Sequence, residues 1–201
     1  DRSRAALGVL AEIASPGDIG FFLAYSTHPD WKIRSQSQRG IGRTAVISAT
    51  VSQAIIPRLM DEDASVRRMA AFALSRCGDE EVVPSLLRSL ADQSFFVRRA
   101  AVRAVKQIWS RVPPDSAVLV QLLPMTDEDQ PLGTRLGAIE LLGERKEPSA
   151  IERLKTLTQH PDWSIRAAAT RSILKTDPQW AKENLSRRQE EDPLVRSLWS
   201  E

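Results

Sequence analysis

Small and aliphatic positions recur at fixed offsets around one arginine along most of this chain. Arg34, Arg67, Arg98, Arg135, Arg166 and Arg196 close the segments HPDWKIR, DEDASVR, DQSFFVR, DQPLGTR, HPDWSIR and EEDPLVR. One residue before them stand Ile33, Val66, Val97, Ile165 and Val195, with Thr134 the exception. Three residues after stand Ser37, Ala70, Ala101, Ala138 and Ala169, and seven after stand Ile41, Leu74, Val105, Leu142 and Ile173. Offsets of −1, +3 and +7 share one stripe of an α-helix. Asp1-Arg2 reads as a truncated first copy, with Ala5 and Val9 at the same offsets. Starting from Arg2, the arginine numbers differ by 32, 33, 31, 37, 31 and 30. A period of that size is the mark of a repeat array.

Each arginine helix has an expected start. Asp30, Asp63, Ser94, Asp162 and Asp192 lie four residues before the arginine, where a side-chain oxygen caps free helix N–H groups. Pro29 and Pro161 suit the turn before that cap. Upstream lies a second amphipathic segment, as in EEVVPSLLRSLA and PSAIERLKTLTQ, bounded by breakers such as Gly78-Asp79, Pro148-Ser149 and Asp177-Pro178. Each unit therefore reads as helix A, a short turn and helix B. The 37-residue unit is expected to carry an extended helix B and a Pro113-Pro114 loop. The small residue at +3 lets a neighbouring helix approach. The pattern predicts an all-α chain, an α-solenoid of stacked antiparallel helical hairpins. It forms one repeat domain over residues 1–201, about five full repeats with partial ones at both ends. Two expectations stay open for those partial ends: the chain is a piece of a longer array, or its open repeat faces are covered by homo- or hetero-association or by the chain itself.

The chain resembles HEAT repeats, in particular the short HEAT-like subclass named after phycobilisome lyases. DEDASVRRMAAFAL and DQSFFVRRAAVRAV carry the likeness. The resemblance implies an armadillo-type superhelix in which turn acids and helix-B arginines of adjacent units form a ladder. Asp61, Asp92 and Asp129 with Arg34, Arg67, Arg98, Arg135 and Arg166 take those roles. His28 and His160 stand at the ladder-acid position, where an imidazole cannot replace a carboxylate, so weaker rungs are expected there. Deoxyhypusine hydroxylases share the architecture but use His-Glu iron pairs, and no such pair occurs here.

Charge is informative only locally. The chain has 28 basic and 26 acidic residues, a net charge of +2. The resemblance places helix B on the concave side, and its outward positions hold Arg39, Arg43, Arg68, Arg76, Arg99, Arg103, Lys106, Arg171 and Lys175. Glu140 and Glu144 interrupt this basic stripe. Three readings stay open for it: a solvated face, a surface for an acidic patch on another protein, or a nucleic-acid surface with salt-dependent binding. The basic concave groove of the alkylpurine glycosylases illustrates the last.

Trp31, Phe95 and Trp163 stand three residues before their arginines and open alternate B helices. They either staple helix A to helix B, the preferred reading, or form an exposed contact edge. Trp109 and Trp180 are expected in the core, and Trp199 at a terminal cap or open interface.

Catalytic motifs are absent from the sequence. Two histidines and the single Cys77 make no metal set, and no cofactor is expected. Cys77 reads as a buried thiol, and one cysteine allows no intrachain disulfide, which suits the cytoplasm. No apolar run is long enough to span a bilayer. The expectation is a non-enzymatic scaffold. The alternative implied by the resemblance is a protein that attaches, detaches or isomerises a bilin on phycobiliproteins.

Overall fold

A computed structural model describes residues 2–111, 117–185 and 190–199, with residues 2–4 and 199 in backbone only. The Arg2 side chain, Pro113, Pro114, Asp115 and the Trp199 ring lie outside that description. The chain falls into two compact units, residues 1–115 and 116–201. Among the described residues there are helices and turns and no strand.

The first unit holds α1 (Arg2–Glu12), α2 (Ile19–Tyr25), α3 (Trp31–Thr44), α4 (Ala49–Ile55), α5 (Ala64–Cys77), α6 (Val83–Arg88) and α7 (Phe95–Trp109). The odd-numbered helices carry the arginine motif and are the B helices. α4 and α6 run on into short 3-10 turns at Ile56–Met60 and Ser89–Ala91. The second unit holds α8 (Ala117–Leu122), α9 (Leu132–Leu142), α10 (Pro148–Leu157), α11 (Trp163–Thr176), α12 (Pro178–Asn184) and α13 (Pro193–Arg196).

Local chemistry sets the helix starts. Asp30, Asp63, Asp162 and Asp192 accept the amides of Lys32, Ser65, Ser164 and Leu194, the second residue of each helix. Ser94 departs from expectation: it holds the N-cap position, but its hydroxyl makes no cap bond. α7 is 15 residues long against 14 for α3 and α5. Helix B of that repeat is thus longer by a single residue, and the Pro113-Pro114 loop expected after it lies outside the described residues.

The predicted stripe is the core. Ser37, Ala70, Ala101, Ala138 and Ala169 are all fully buried, as are Ile41, Leu74, Val105, Leu142 and Ile173. Val9 is the exception at 63% exposed, with Ala5 also exposed. α1 instead buries Leu7 and Ala11, having α3 on that side. No described element covers the stripe that runs through Val9.

In the first unit the B helices form a continuous layer, α1 on α3, α3 on α5 and α5 on α7, while the A helices mainly touch their own B partners. Close approach depends on missing side chains. A Cβ on Gly40 would sit 2.3 Å from the Phe22 ring, and one on Gly42 would sit 3.0 Å from the Ala73 backbone. Arg111 ties neighbouring repeats together by donating to the carbonyls of Ser75 and Gly78 at 2.6 and 2.8 Å. It thereby satisfies the C-terminal end of α5.

Candidate functional site

The motif arginines build a ladder at the inter-helix turns. Arg34 Nε and Nη2 donate to the two oxygens of Asp61, both at 2.8 Å. Arg67 does the same to Asp92 at 2.6 and 3.0 Å, and Arg166 to Glu190 at 3.1 and 2.8 Å. In each case Nη1 turns back onto two carbonyls of its own turn: His28 and Pro29, Asp61 and Glu62, or His160 and Pro161. The acid has a second task, accepting the amide two residues on, as Asp61 does from Asp63 and Asp92 from Ser94. One arginine thus pins its own turn and grips the next, through bidentate charge-assisted bonds.

These contacts shift the acids. Burial pushes the Asp61 carboxyl up, but hydrogen bonds from Arg34 and the Asp63 amide outweigh it, leaving the pKa below the ordinary 3.8. The hydrogen bond from Arg166 holds Glu190 below 4.5, against a smaller opposing effect of burial. Asp61 raises the Arg34 guanidinium in return.

Three assigned ladder residues, Arg98, Asp129 and Arg135, lack such a partner within their unit. Arg98 donates to the carbonyls of Asp92 and Gln93 and lies near the Phe95 ring. Asp129 is exposed and accepts from the Gln130 amide. Glu190, which the ladder assignment did not include, fills the acid position opposite Arg166.

Histidine takes the turn role of the acid but not its charge. His28 Nδ1 accepts the Asp30 amide at 3.0 Å, and His160 Nδ1 the Asp162 amide at 2.9 Å. Facing His160 is Arg135, whose Nη2 lies 2.8 Å from the ring Nε2. Arg135 is buried, and its Nε meets no partner. The motif register flags this position, since His replaces the acid in HPDWSIR.

The predicted basic face divides by pairing. Arg39 and Arg43 both reach Glu12, Arg43 at 3.1 Å. Lys175 pairs with Glu144, the acidic rung. Arg68, Arg76, Arg103 and Arg171 are exposed, and among the described residues no acid lies within 4.0 Å of them. Arg68, Arg76 and Arg103 stand on α5 and α7, with the half-buried Arg99 and Lys106 also on α7.

Trp31 and Phe95 in the first unit are 39% and 58% exposed, and Trp163 in the second is 47% exposed. Lys32 stacks over Trp31 at 5.6 Å, and Phe96, adjacent to Phe95, is also exposed. Trp109 and Trp180 are half-buried, short of the core burial expected, and Lys155 lies 5.3 Å over the Trp180 ring. Cys77 is buried; burial raises its pKa above 9.0, which leaves the thiol unreactive. A fully buried Arg145 grips Glu147, a structural pair with no motif to announce it. Among the described residues no group of three potential metal ligands occurs, and no helix is long and apolar enough to cross a membrane.

Stacked hairpins tied by an arginine ladder define an α-solenoid. The chain belongs to the HEAT-repeat family, whose description matches residues 51–131 and 116–199. It is 24% identical over 157 residues, 72% of its own length, to the phycocyanobilin lyase subunit alpha of Nostoc sp.. The chain spans 57% of the length of that relative. The solved complex of CpcE and CpcF of phycocyanin lyase from Nostoc sp. is similar in fold, with a TM-score of 0.62 and 22% identity. That likeness covers 89% of this chain and 73% of the other. An engineered protein matches at a TM-score of 0.53 and 20% identity, covering 87% of this chain and 90% of its own.

Proposed function

We propose that this chain is a non-catalytic scaffold that binds an acidic surface of another protein through the outward face of its B helices. The observation that carries the reading is the set of exposed cations Arg68, Arg76 and Arg103 on α5 and α7, without acidic neighbours among the described residues, in a chain where the ladder arginines Arg34, Arg67 and Arg166 are paired. Cations left without internal partners steer and hold an acidic surface. Helices fixed by a ladder lose little freedom on binding, which favours affinity. Trp31, Phe95 and Trp163 add exposed aromatic area of the kind that anchors interfaces.

Affinity capture from the source cell tests this, comparing the natural chain with an Arg68→Glu, Arg99→Glu, Arg103→Glu variant. The expected result is a partner held by the first and lost by the second, with unchanged helical content. Equal capture by both would remove this face. A nucleic-acid shift in a gel that survives moderate salt would replace the protein partner with nucleic acid.

Similarity to a phycocyanobilin lyase subunit favours a second reading, a subunit of a bilin lyase that works beside another repeat subunit. Adding phycocyanobilin and recording the visible spectrum separates the two: a shifted band supports the lyase reading, and an unshifted one leaves the scaffold.

A further inference from the structure

The rung at Arg135 lacks what its counterparts have. Arg34, Arg67 and Arg166 each face a carboxylate, whereas Arg135 faces the His160 ring. A neutral imidazole offers one lone pair, yet two N–H donors converge on this ring: the Asp162 amide at Nδ1 and Arg135 Nη2 at Nε2. Whichever nitrogen carries the ring proton, one contact sets donor against donor. A carboxylate in that place serves both donors, as Asp61 and Asp92 do. Arg135 is only 8% exposed, and its Nε is buried without a partner. A buried guanidinium lacking a counter-charge is costly, and an anion arriving from outside removes that cost.

Space for the anion adjoins the guanidinium. Arg135 and His160 line a cleft of about 550 Å³ in the second unit, between the turn before α9, α10 and the start of α12. The other cations on its wall are engaged: Arg153 with Thr126 and Asp127, Lys155 with Glu152 and Asp177. Arg135 is therefore the cation available to a ligand.

We propose that this cleft is a carboxylate-binding site, in which an external carboxylate takes the place beside Arg135 that Asp61, Asp92 and Glu190 fill in the other rungs, the His160 ring giving way to it. Rim acids select the class. Glu128 lies 3.8 Å from His160 Nε2, and Glu152 also lines the cleft. Their charge disfavours a phosphate dianion and tolerates a single negative charge. Leu157 and the Trp180 ring offer apolar wall to the carbon body of the acid. The carboxylate comes either from a small organic acid or from an Asp or Glu side chain of a partner. The site is built from residues of the second unit and does not rest on the scaffold reading.

The test follows the Arg Nε–H signals of the ¹⁵N-labelled chain by NMR while benzoate, a tetraglutamate peptide or inorganic phosphate is added. The Arg135 signal, assigned by its loss in Arg135→Gln, is expected to move saturably with benzoate or with the peptide. His160→Asp restores an internal acid to the rung, so it should bind the same probe roughly tenfold more weakly or worse and melt at a higher temperature. Tighter binding of benzoate points to a small acid, and tighter binding of the peptide to a partner's side chain; either supports the site. No saturable shift with either probe, undiminished binding by His160→Asp, or phosphate binding as tightly as benzoate overturns the proposal. The titration of the unaltered chain decides the first and third of these even where a variant fails to fold.

Discussion

Gln38 shows how a single residue can run against the repeat. It is fully buried on α3, and neither its side-chain oxygen nor its nitrogen has a partner. The same offset from the motif arginine holds Ala71 in α5 and Val102 in α7, both apolar. A buried amide without hydrogen bonds costs about 1–3 kcal/mol, so Gln38→Leu, similar in volume, is expected to raise the urea midpoint. A lower midpoint would mean that the amide has a partner after all, such as a trapped water. Ala45 is the second departure, with φ of 52° at the C-cap of α3. The left-handed region costs a residue with a Cβ about 1–2 kcal/mol, and the added freedom of glycine in the unfolded chain returns part of that. Ala45→Gly is therefore expected to stabilise by up to about 1 kcal/mol in thermal unfolding. Neither feature was legible in the sequence. Gln38 looks like an ordinary polar residue of a helix, and nothing in the letters shows which neighbour faces it.

Helices here are held by contacts that single hairpins do not have. Arg67 makes four hydrogen bonds that join the α4–α5 turn to the α6–α7 turn. Its side chain and that of Asp92 are 17% and 10% exposed, so the pair sits mostly out of water. Arg67→Ala leaves that carboxylate without its counter-charge, and a loss of about 3 kcal/mol is expected, measured by denaturant unfolding. The ladder also sets a pH response. Asp61 and Glu190 have pKa values lowered in the fold, so their stabilisation is fully present above the ordinary values of 3.8 and 4.5. It is lost as pH falls through those values toward the folded ones. Stability should be level near neutrality and drop on acidification below about pH 4. An Asp61→Asn variant, already weaker at neutral pH, should drop less steeply. The packed stripe makes a complementary prediction: Ala101→Leu places a branched chain where α7 meets its neighbours and should cost about 1–3 kcal/mol by overpacking. The −1, +3 and +7 stripe and the rungs of Arg34 and Arg67 could be read from spacing because the same hairpin is repeated. The Arg135 rung could be read only in part, since the sequence shows the histidine but not the unpartnered Nε.

At the scale of the molecule, a repeat array gains its stability from neighbour on neighbour. An Arg67→Ala lesion should therefore raise hydrogen exchange in α4 to α7 of its own unit first, while α9 to α11 keep their protection. Loss of protection in α11 at the same rate would contradict nearest-neighbour stability. The face that proposes a function is also a product of the whole. Arg39, Arg68 and Arg103 look alike in the sequence, but Glu12 on α1 takes Arg39 and Arg43, and no described acid reaches Arg68 or Arg103.

The sequence by itself determined the all-helical hairpin repeat, the helix starts at Asp30, Asp63 and Asp162, and the small-residue stripe. These follow from periodicity and capping, which are local along the chain and recur every 30 or so residues. Tertiary structure alone decided which charges are paired. It joined Glu12 to Arg39, Glu190 to Arg166 and Arg111 to the end of α5, and it left Arg135 buried against His160. Those outcomes depend on which side chains meet across 24 to 36 residues of chain, as in the Arg166–Glu190 and Arg111–Ser75 bonds. Distances of that kind are set by how one hairpin stacks on the next.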